Sequence, residues 1–405
     1  MSDVRARGGL RRMVARDRHD AHRVSSPLEL LFDLVFVVAV SQASSALHHM
    51  LTDGDGDGVI AYLMVFFAIW WAWMNFTWFA SAFDTDDWLY RVLTISQMAG
   101  VLVLAAGVHD AMVAMDFTVV TWGYVIMRLS MVAQWVRAAV SDAASRPAAL
   151  RFAVGIAAVQ VLWVARLYAL DPAWQFWSFF VLMTVEVLVP VWGERARQTA
   201  WHPHHIAERF GLFTLILLGE SLLASANAVI DALGQGEHVG ELLTLAASGL
   251  VITAAIWWIY FSRKQHDRLR TIGDGFRFGY AHCVIFAAVG AVSSGVEVEI
   301  DHLSGHSELS HAEAGLALTL PLAVFLLGAW LVLLRHAVSR TASVLIVVAV
   351  VLVVLAGLLP MGEFVAAAAV MAAVVASLEV DGARSVSRRG AATSPRDRVA
   401  GARRR

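Results

Sequence analysis

The sequence predicts an all-α, polytopic integral membrane protein with about 12 transmembrane helices, arranged as two parallel six-helix repeats. Three observations carry this. First, 59% of the 405 residues are hydrophobic and only 16% charged, with a mean hydropathy of +0.65, whereas a soluble domain carries roughly a quarter charged residues. Second, the apolar residues fall in long blocks. About 20 apolar residues cross a bilayer as a helix, and an open sheet in lipid would leave backbone groups unpaired. Third, the basic residues are segregated: residues 1–23 hold seven Arg and residues 384–405 hold eight, so the two ends carry fifteen of the 31 basic residues.

In chain order the spans are expected at about 27–51, 59–80, 88–108, 117–137, 148–169, 174–192, 206–230, 241–262, 276–296, 314–335, 341–359 and 361–380. The first three are strongly apolar or aromatic. The last two are short and rich in Val and Ala, which leaves a count of eleven open. The organisation that follows is a basic N-terminal tail (1–24), a first repeat (25–192), a second repeat (193–380) and a basic, disordered C-terminal tail (381–405). No signal peptide is expected after Met1. The one cysteine, Cys283, excludes an internal disulfide and a thiolate metal cluster.

The positive-inside rule orients the spans. With twelve, both Arg-rich tails share the cytoplasmic side, together with connections holding Arg137, Arg146 and Arg151; Arg195, Arg197 and Arg209; Arg263, Lys264, Arg268, Arg270 and Arg277; and Arg335 and Arg340. The opposite connections are acidic: 52–58, Asp231 to Glu241, and Glu297 to Glu313. Arg166 is the one basic residue expected outside. The location implied is the plasma membrane, multi-pass, with both termini cytoplasmic. The Arg-rich tails suit anionic lipid headgroups, and no nucleic-acid partner is expected.

An internal duplication explains further matches. Ala68-Ile69-Trp70-Trp71 recurs as Ala255-Ile256-Trp257-Trp258, Glu29 aligns with Glu208, Ser41-Gln42 with Glu220-Ser221, and Arg91 with Arg277. Six spans is an even number, so the copies keep one orientation, as in the parallel repeats of some transporters.

Two segments stand out. The first helix reads S-P-L-E-L-L-F-D-L-V-F-V-V-A-V-S-Q from Ser26 to Gln42, and the seventh reads E-R-F-G-L-F-T-L-I-L-L-G-E-S-L-L-A from Glu208 to Ala224. Both resemble the hallmark segments of the bacterial low-temperature-requirement A family, over about residues 24 to 380. The sequence departs at Leu31, where relatives often carry an aromatic residue before the Phe-Asp pair. The resemblance implies a bacterial membrane protein linked to growth in the cold, and brings no reaction or substrate with it.

An ionisable residue at membrane depth faces a protein interior or a wet cavity. Glu29 and Asp33 lie four apart on the first helix and share a face. Ser41, Ser44 and His48 extend that face as a polar stripe. Glu220 lies twelve residues beyond Glu208, a rise of about 18 Å, which puts it near the midplane. Arg128 lies mid-way along the fourth helix, and Glu186 lies one turn before Pro190 on the sixth. A central Arg128 needs a carboxylate, and Glu220 and Glu186 are the candidates. These pairings are either ion pairs that fix helix register or a substrate or proton site between the repeats. His282 is a further candidate for titration. The expected substrate or ion site therefore comprises Glu29, Asp33, Arg128, Glu186, Glu208, Glu220 and His282, with no metal or cofactor.

Other motifs are set aside. Asp53, Asp55 and Asp57 begin like a calcium loop, but its twelfth position is Met64 where a bidentate Glu is required. His202, His204 and His205 form one irregular histidine group near an inner helix end, read as an interfacial pH-sensitive loop or incidental metal binding. Its counterpart, His48-His49, lies at an outer end, so the two cannot share a metal. No G-x-S-x-G, P-loop or zincin motif is present, and an enzyme is not expected. The tryptophans of the second and eighth helices suit an interfacial belt and packing. The function that follows is a carrier of a small solute or ion, with a site between the repeats. A channel is one alternative, since F-D-L-V-F is weakly similar to the F-S-D-G-V-F helix of a potassium channel family with two six-helix repeats. A non-transporting sensor or envelope factor is another. The solute, the oligomeric state and any protein partner stay open.

Overall fold

The computed structural model describes residues 9–16, 24–83, 85–235 and 238–392. Most of both basic tails, and Asp84, lie outside the described residues, as does most of the expected lipid contact of those tails. The described residues are helical, with no strand. In order they form α1 (Pro27–Thr52), α2 (Gly58–Ala82), α3 (Trp88–Ala106), α4 (Val108–Val113), α5 (Thr118–Ser141), α6 (Arg146–Ala169), α7 (Pro172–Ala196), α8 (Pro203–Gln235), α9 (Val239–Phe261), α10 (Ile272–Leu303), α11 (His311–Ala329), α12 (Arg340–Ala356) and α13 (Glu363–Ala392). Among the described residues eleven helices are long and apolar enough to cross a membrane. The remaining apolar one, α12, has 17 residues, at the lower edge of spanning length.

The chain divides into two compact units, residues 1–220 with 265–290, and residues 221–264 with 291–405. Their borders fall inside α8 and α10 rather than at the connection around 192 that separates the expected halves.

In the first unit α2 is apolar and aromatic on every face, the pattern of a helix enclosed by others. Trp70, Trp71, Trp73, Phe66, Phe76 and Phe79 are fully buried. The tryptophans of α2 are therefore core, whereas Trp257 and Trp258 of α9, in the second unit, are 45% and 43% exposed and suit a lipid interface. α3 and α5 cross at two glycines. A Cβ on Gly123 would lie 2.6 Å from the Gly100 carbonyl oxygen, so only hydrogen at both positions permits this backbone approach.

Residues 9–16 are not free tail. Met13 is fully buried, Arg16 N–H donates to the Ala82 carbonyl at 3.0 Å, and Arg12 Nη2 donates to the Ser141 carbonyl at 2.9 Å. The Arg12 guanidinium closes a carbonyl at the C-terminal end of α5, where cations are favoured, and the Arg16 backbone N–H closes one at the end of α2.

In the second unit α10 and α11 meet at Gly295, where a Cβ would lie 2.5 Å from Leu318 Cα. α9 and α13 are joined by Trp258 Nε1–H donating to Glu379 at 2.8 Å. α13 runs on to Ala392, which corrects the expectation that the chain is disordered from 381. Asp381 accepts from Ser339 N–H at 3.2 Å and from Arg263 Nη2 at 3.5 Å, and these bonds hold the helix past its apolar part.

Candidate functional site

Among the described residues of the first unit two buried charge clusters stand out. The larger one begins at the start of α1. Ser26 and Glu29 form a capping box: Glu29 N–H donates to the Ser26 hydroxyl at 3.3 Å and Ser26 N–H to Glu29 Oε2 at 2.7 Å. That leaves Glu29 Oε1 facing α8, where it lies 3.2 Å from Arg209 Nη1 and 3.0 Å from His205 Nε2. One turn along α1, Asp33 takes both arms of the same guanidinium, with Nη2 at 2.5 Å from Oδ1 and Nε at 3.0 Å from Oδ2. Trp73 Nε1–H of α2 adds a third bond to Oδ1 at 2.6 Å. This planar two-point grip is the strong form of an Arg–carboxylate pair. The i, i+4 spacing works twice here: it aligns Glu29 with Asp33 on α1, and His205 with Arg209 on α8. Every member is buried.

The second cluster joins α5, α6 and α7. Arg128 Nη2 meets Glu186 Oε1 at 2.6 Å, Trp163 Nε1–H donates to Glu186 Oε2 at 2.7 Å, and the Arg128 guanidinium lies 5.5 Å from the Tyr124 ring centre. One cation and one anion cancel, and both carboxylate oxygens are filled.

The seven expected site residues do not meet in one cleft. Glu29 and Asp33 share the first cluster. Arg128 pairs with Glu186, and among the described residues no ion pair joins it to Glu220. Glu220 accepts from the Ser41 hydroxyl at 2.8 Å, so the polar stripe of α1 does reach α8. Glu208 accepts a long bond of 3.4 Å from Ser25 N–H. His282 sits with Nδ1 2.6 Å from the Phe278 carbonyl, ringed by Phe210, Phe278 and Phe286, a satisfied interior histidine.

Three members were not expected: Arg209, His205 and Trp73. Arg209 counts by sequence as one more cytoplasmic positive charge, and His205 as part of an interfacial histidine loop. The signal for both lay in the Glu29–Glu208 alignment. Two carboxylates at the head of one helix require a cation at the same depth, and Arg209 is adjacent to Glu208 at the head of the matching helix. His205 belongs to the first turn of α8 rather than to a loop, and burial against Glu29 removes it from the interface.

Eleven helices among the described residues that are long and apolar enough to span, with buried charge pairs inside the first unit, define a polytopic helical membrane protein. The chain belongs to the bacterial low temperature requirement A (LtrA) family, whose description matches residues 24–378. It is also similar to an uncharacterized protein of Rhizobium meliloti (strain 1021), 28% identical over 298 residues, which cover 68% of this chain and 70% of that protein.

Proposed function

We propose that this chain is a carrier of a small solute or ion in the bacterial plasma membrane, with both termini cytoplasmic, and that the Glu29–Asp33–His205–Arg209 cluster is its coupling site. The observation that supports this most is the company that His205 keeps. Its ring lies 3.0 Å from Glu29, which shares the Arg209 guanidinium with Asp33, and all four are buried. Charge in a water-poor interior is costly, and imidazole is the side chain best suited to exchange a proton near neutral pH. A group that gains and loses a proton beside buried charges is what coupling requires. Glu29 and Asp33 lie in the first expected half and His205 and Arg209 in the second, the arrangement in which alternating-access carriers hold their sites. The orientation rests on the Arg-rich connections.

The rival is a static pin, favoured by the three hydrogen bonds that fill Asp33. Flux separates them. The purified chain is reconstituted with a pH-sensitive dye inside the vesicles and challenged with a panel of alkali cations, amino acids and organic acids. Wild-type protein should acidify or alkalinise the lumen with at least one solute. His205→Gln should insert normally and lose more than nine-tenths of that coupled flux. Unitary current steps would instead mean a channel. Unchanged coupled flux in His205→Gln would remove the cluster from the mechanism.

A further inference from the structure

Glu29, Asp33 and Glu186 each meet an arginine. Glu299 is a buried carboxylate of another kind. It stands in the last two turns of α10, 0% exposed, and among the described residues neither of its oxygens has a hydrogen-bond donor. The charged group that acts on it through space is a second carboxylate, Glu363 of α13, 3% exposed and with Oε2 also lacking a donor. Both belong to the second unit, and among the described residues no ion pair joins either to an arginine or lysine. Two carboxylates that act on each other in a water-poor interior do not both stay ionised. The helix ends decide which one is neutral. Glu363 lies in the first turn of α13, where an anion is favoured, and Glu299 lies toward the C-terminal end of α10, where it is not.

A graded route reaches the pair from the surface. His311, at the start of α11, is exposed, and its Nδ1 lies 3.1 Å from Nε2 of the half-buried His302. His302 is in turn within electrostatic reach of Glu363. Exposure therefore falls along His311, His302, Glu363 and Glu299, and imidazole passes a proton near neutral pH. The other titratable groups at this end are engaged or outside it. Glu313 of α11 is closed into a capping box with Ser310, and Glu297 and Asp301 of α10 have interactions of their own. His306, Glu308 and Glu241 of α9 are exposed, and α12 carries no titratable residue beyond Arg340 at its start. Among the described residues no group of three His, Cys, Asp or Glu could hold a metal ion.

We infer that Glu299 is a proton-binding site, loaded and emptied through Glu363 and the His302–His311 pair. A proton taken up by His311 passes to His302 and on to the carboxylates. Each imidazole returns to its neutral form, and the charge of the carboxylate pair goes from two negative to one. The site shares no residue with the Glu29–Arg209 cluster. Its occupancy is read without any flux, so it does not rest on the carrier reading.

The test is infrared difference spectroscopy of the full chain in an ester-free detergent, in the carbonyl-stretch region of protonated carboxylic acids. Wild-type protein at neutral pH should show an acid band that Glu299→Gln removes and that disappears at alkaline pH. Glu299→Asp should move this band without removing it, a readout that survives if the glutamine variant fails to fold. Stopped-flow transfer into deuterated water should exchange the band at least fivefold more slowly in His311→Ala, with its size unchanged. Sodium at constant pH should leave the band as choline does. A band that neither Glu299 variant alters, or one that sodium removes and choline does not, would overturn the assignment, as would the lack of any acid band in wild type. Exchange at the wild-type rate in His311→Ala would overturn the route.

Discussion

Arg128 and Glu186 form one pair, a single cation against a single anion, with a tryptophan closing the second carboxylate oxygen. Glu29, Asp33, His205 and Arg209 form a different object: two anions, one cation and a ring able to take up a proton. Both are buried, and both use Arg, Glu or Asp, and a Trp N–H. What distinguishes them is composition: the first joins one guanidinium to one carboxylate, and the second adds another carboxylate and an imidazole. Burial of charge is common to both and does not by itself mark a site.

That contrast can be broken most severely at Arg209. Arg209→Met strands two carboxylates, and removing one partner of a buried pair costs about 3–5 kcal/mol. The loss should exceed that of Arg128→Met, which strands only Glu186. Thermal unfolding of both variants in one detergent ranks them, and the reverse order would mean that the larger cluster is already protonated. The double change Arg128→Met with Glu186→Leu sharpens the contrast further. Apolar replacements of a balanced pair are often neutral, so stability should return to within about 1 kcal/mol of wild type and coupled flux should persist. Loss of flux in the folded double variant would make the pair part of the mechanism.

A smaller effect tests the scaffold between the two clusters. Gly123→Ala places a methyl group against the Gly100 carbonyl and should cost about 1–3 kcal/mol by overpacking, without changing the pH dependence of flux. The smallest effect lies at the head of α3. Burial alone would raise the Asp87 carboxyl, but hydrogen bonds from Arg137, Arg11 N–H and Tyr90 N–H outweigh it and hold it below its ordinary value. A depressed carboxylate contributes stability that is full above its unfolded pKa, about 3.9, and is lost as pH falls through the folded value. Wild-type protein should lose thermal stability on going from pH 6 to pH 3. Asp87→Asn keeps a helix cap and should start lower and lose less over that window. Parallel profiles for the two proteins would refute this account of Asp87.

The spans were legible in the sequence because spanning is a local property. A run of apolar residues long enough to cross lipid must be a helix whatever surrounds it. The start at 27 agrees with the expected one, while α7 and α8 start at Pro172 and Pro203 rather than at the expected 174 and 206, since proline is favoured in a first helical turn. The α1 pair was legible too, since a spacing of four fixes a shared face. The partner of Arg128 was not, because Glu186 and Glu220 answer equally well when only depth is known.

By itself the sequence determined that this is a many-pass helical protein, that Glu29, Asp33, Arg128 and Glu186 need polar company, and that Arg-rich and acidic connections alternate. Only the tertiary structure decided who meets whom. Asp33 and Arg209 are 176 positions apart, and their contact depends on how each helix is rotated about its own axis. That rotation is set by packing, at places such as Gly100 against Gly123 and the buried rings of α2. Side-chain shape and backbone approach across helices fix it, and neither is written in any single helix.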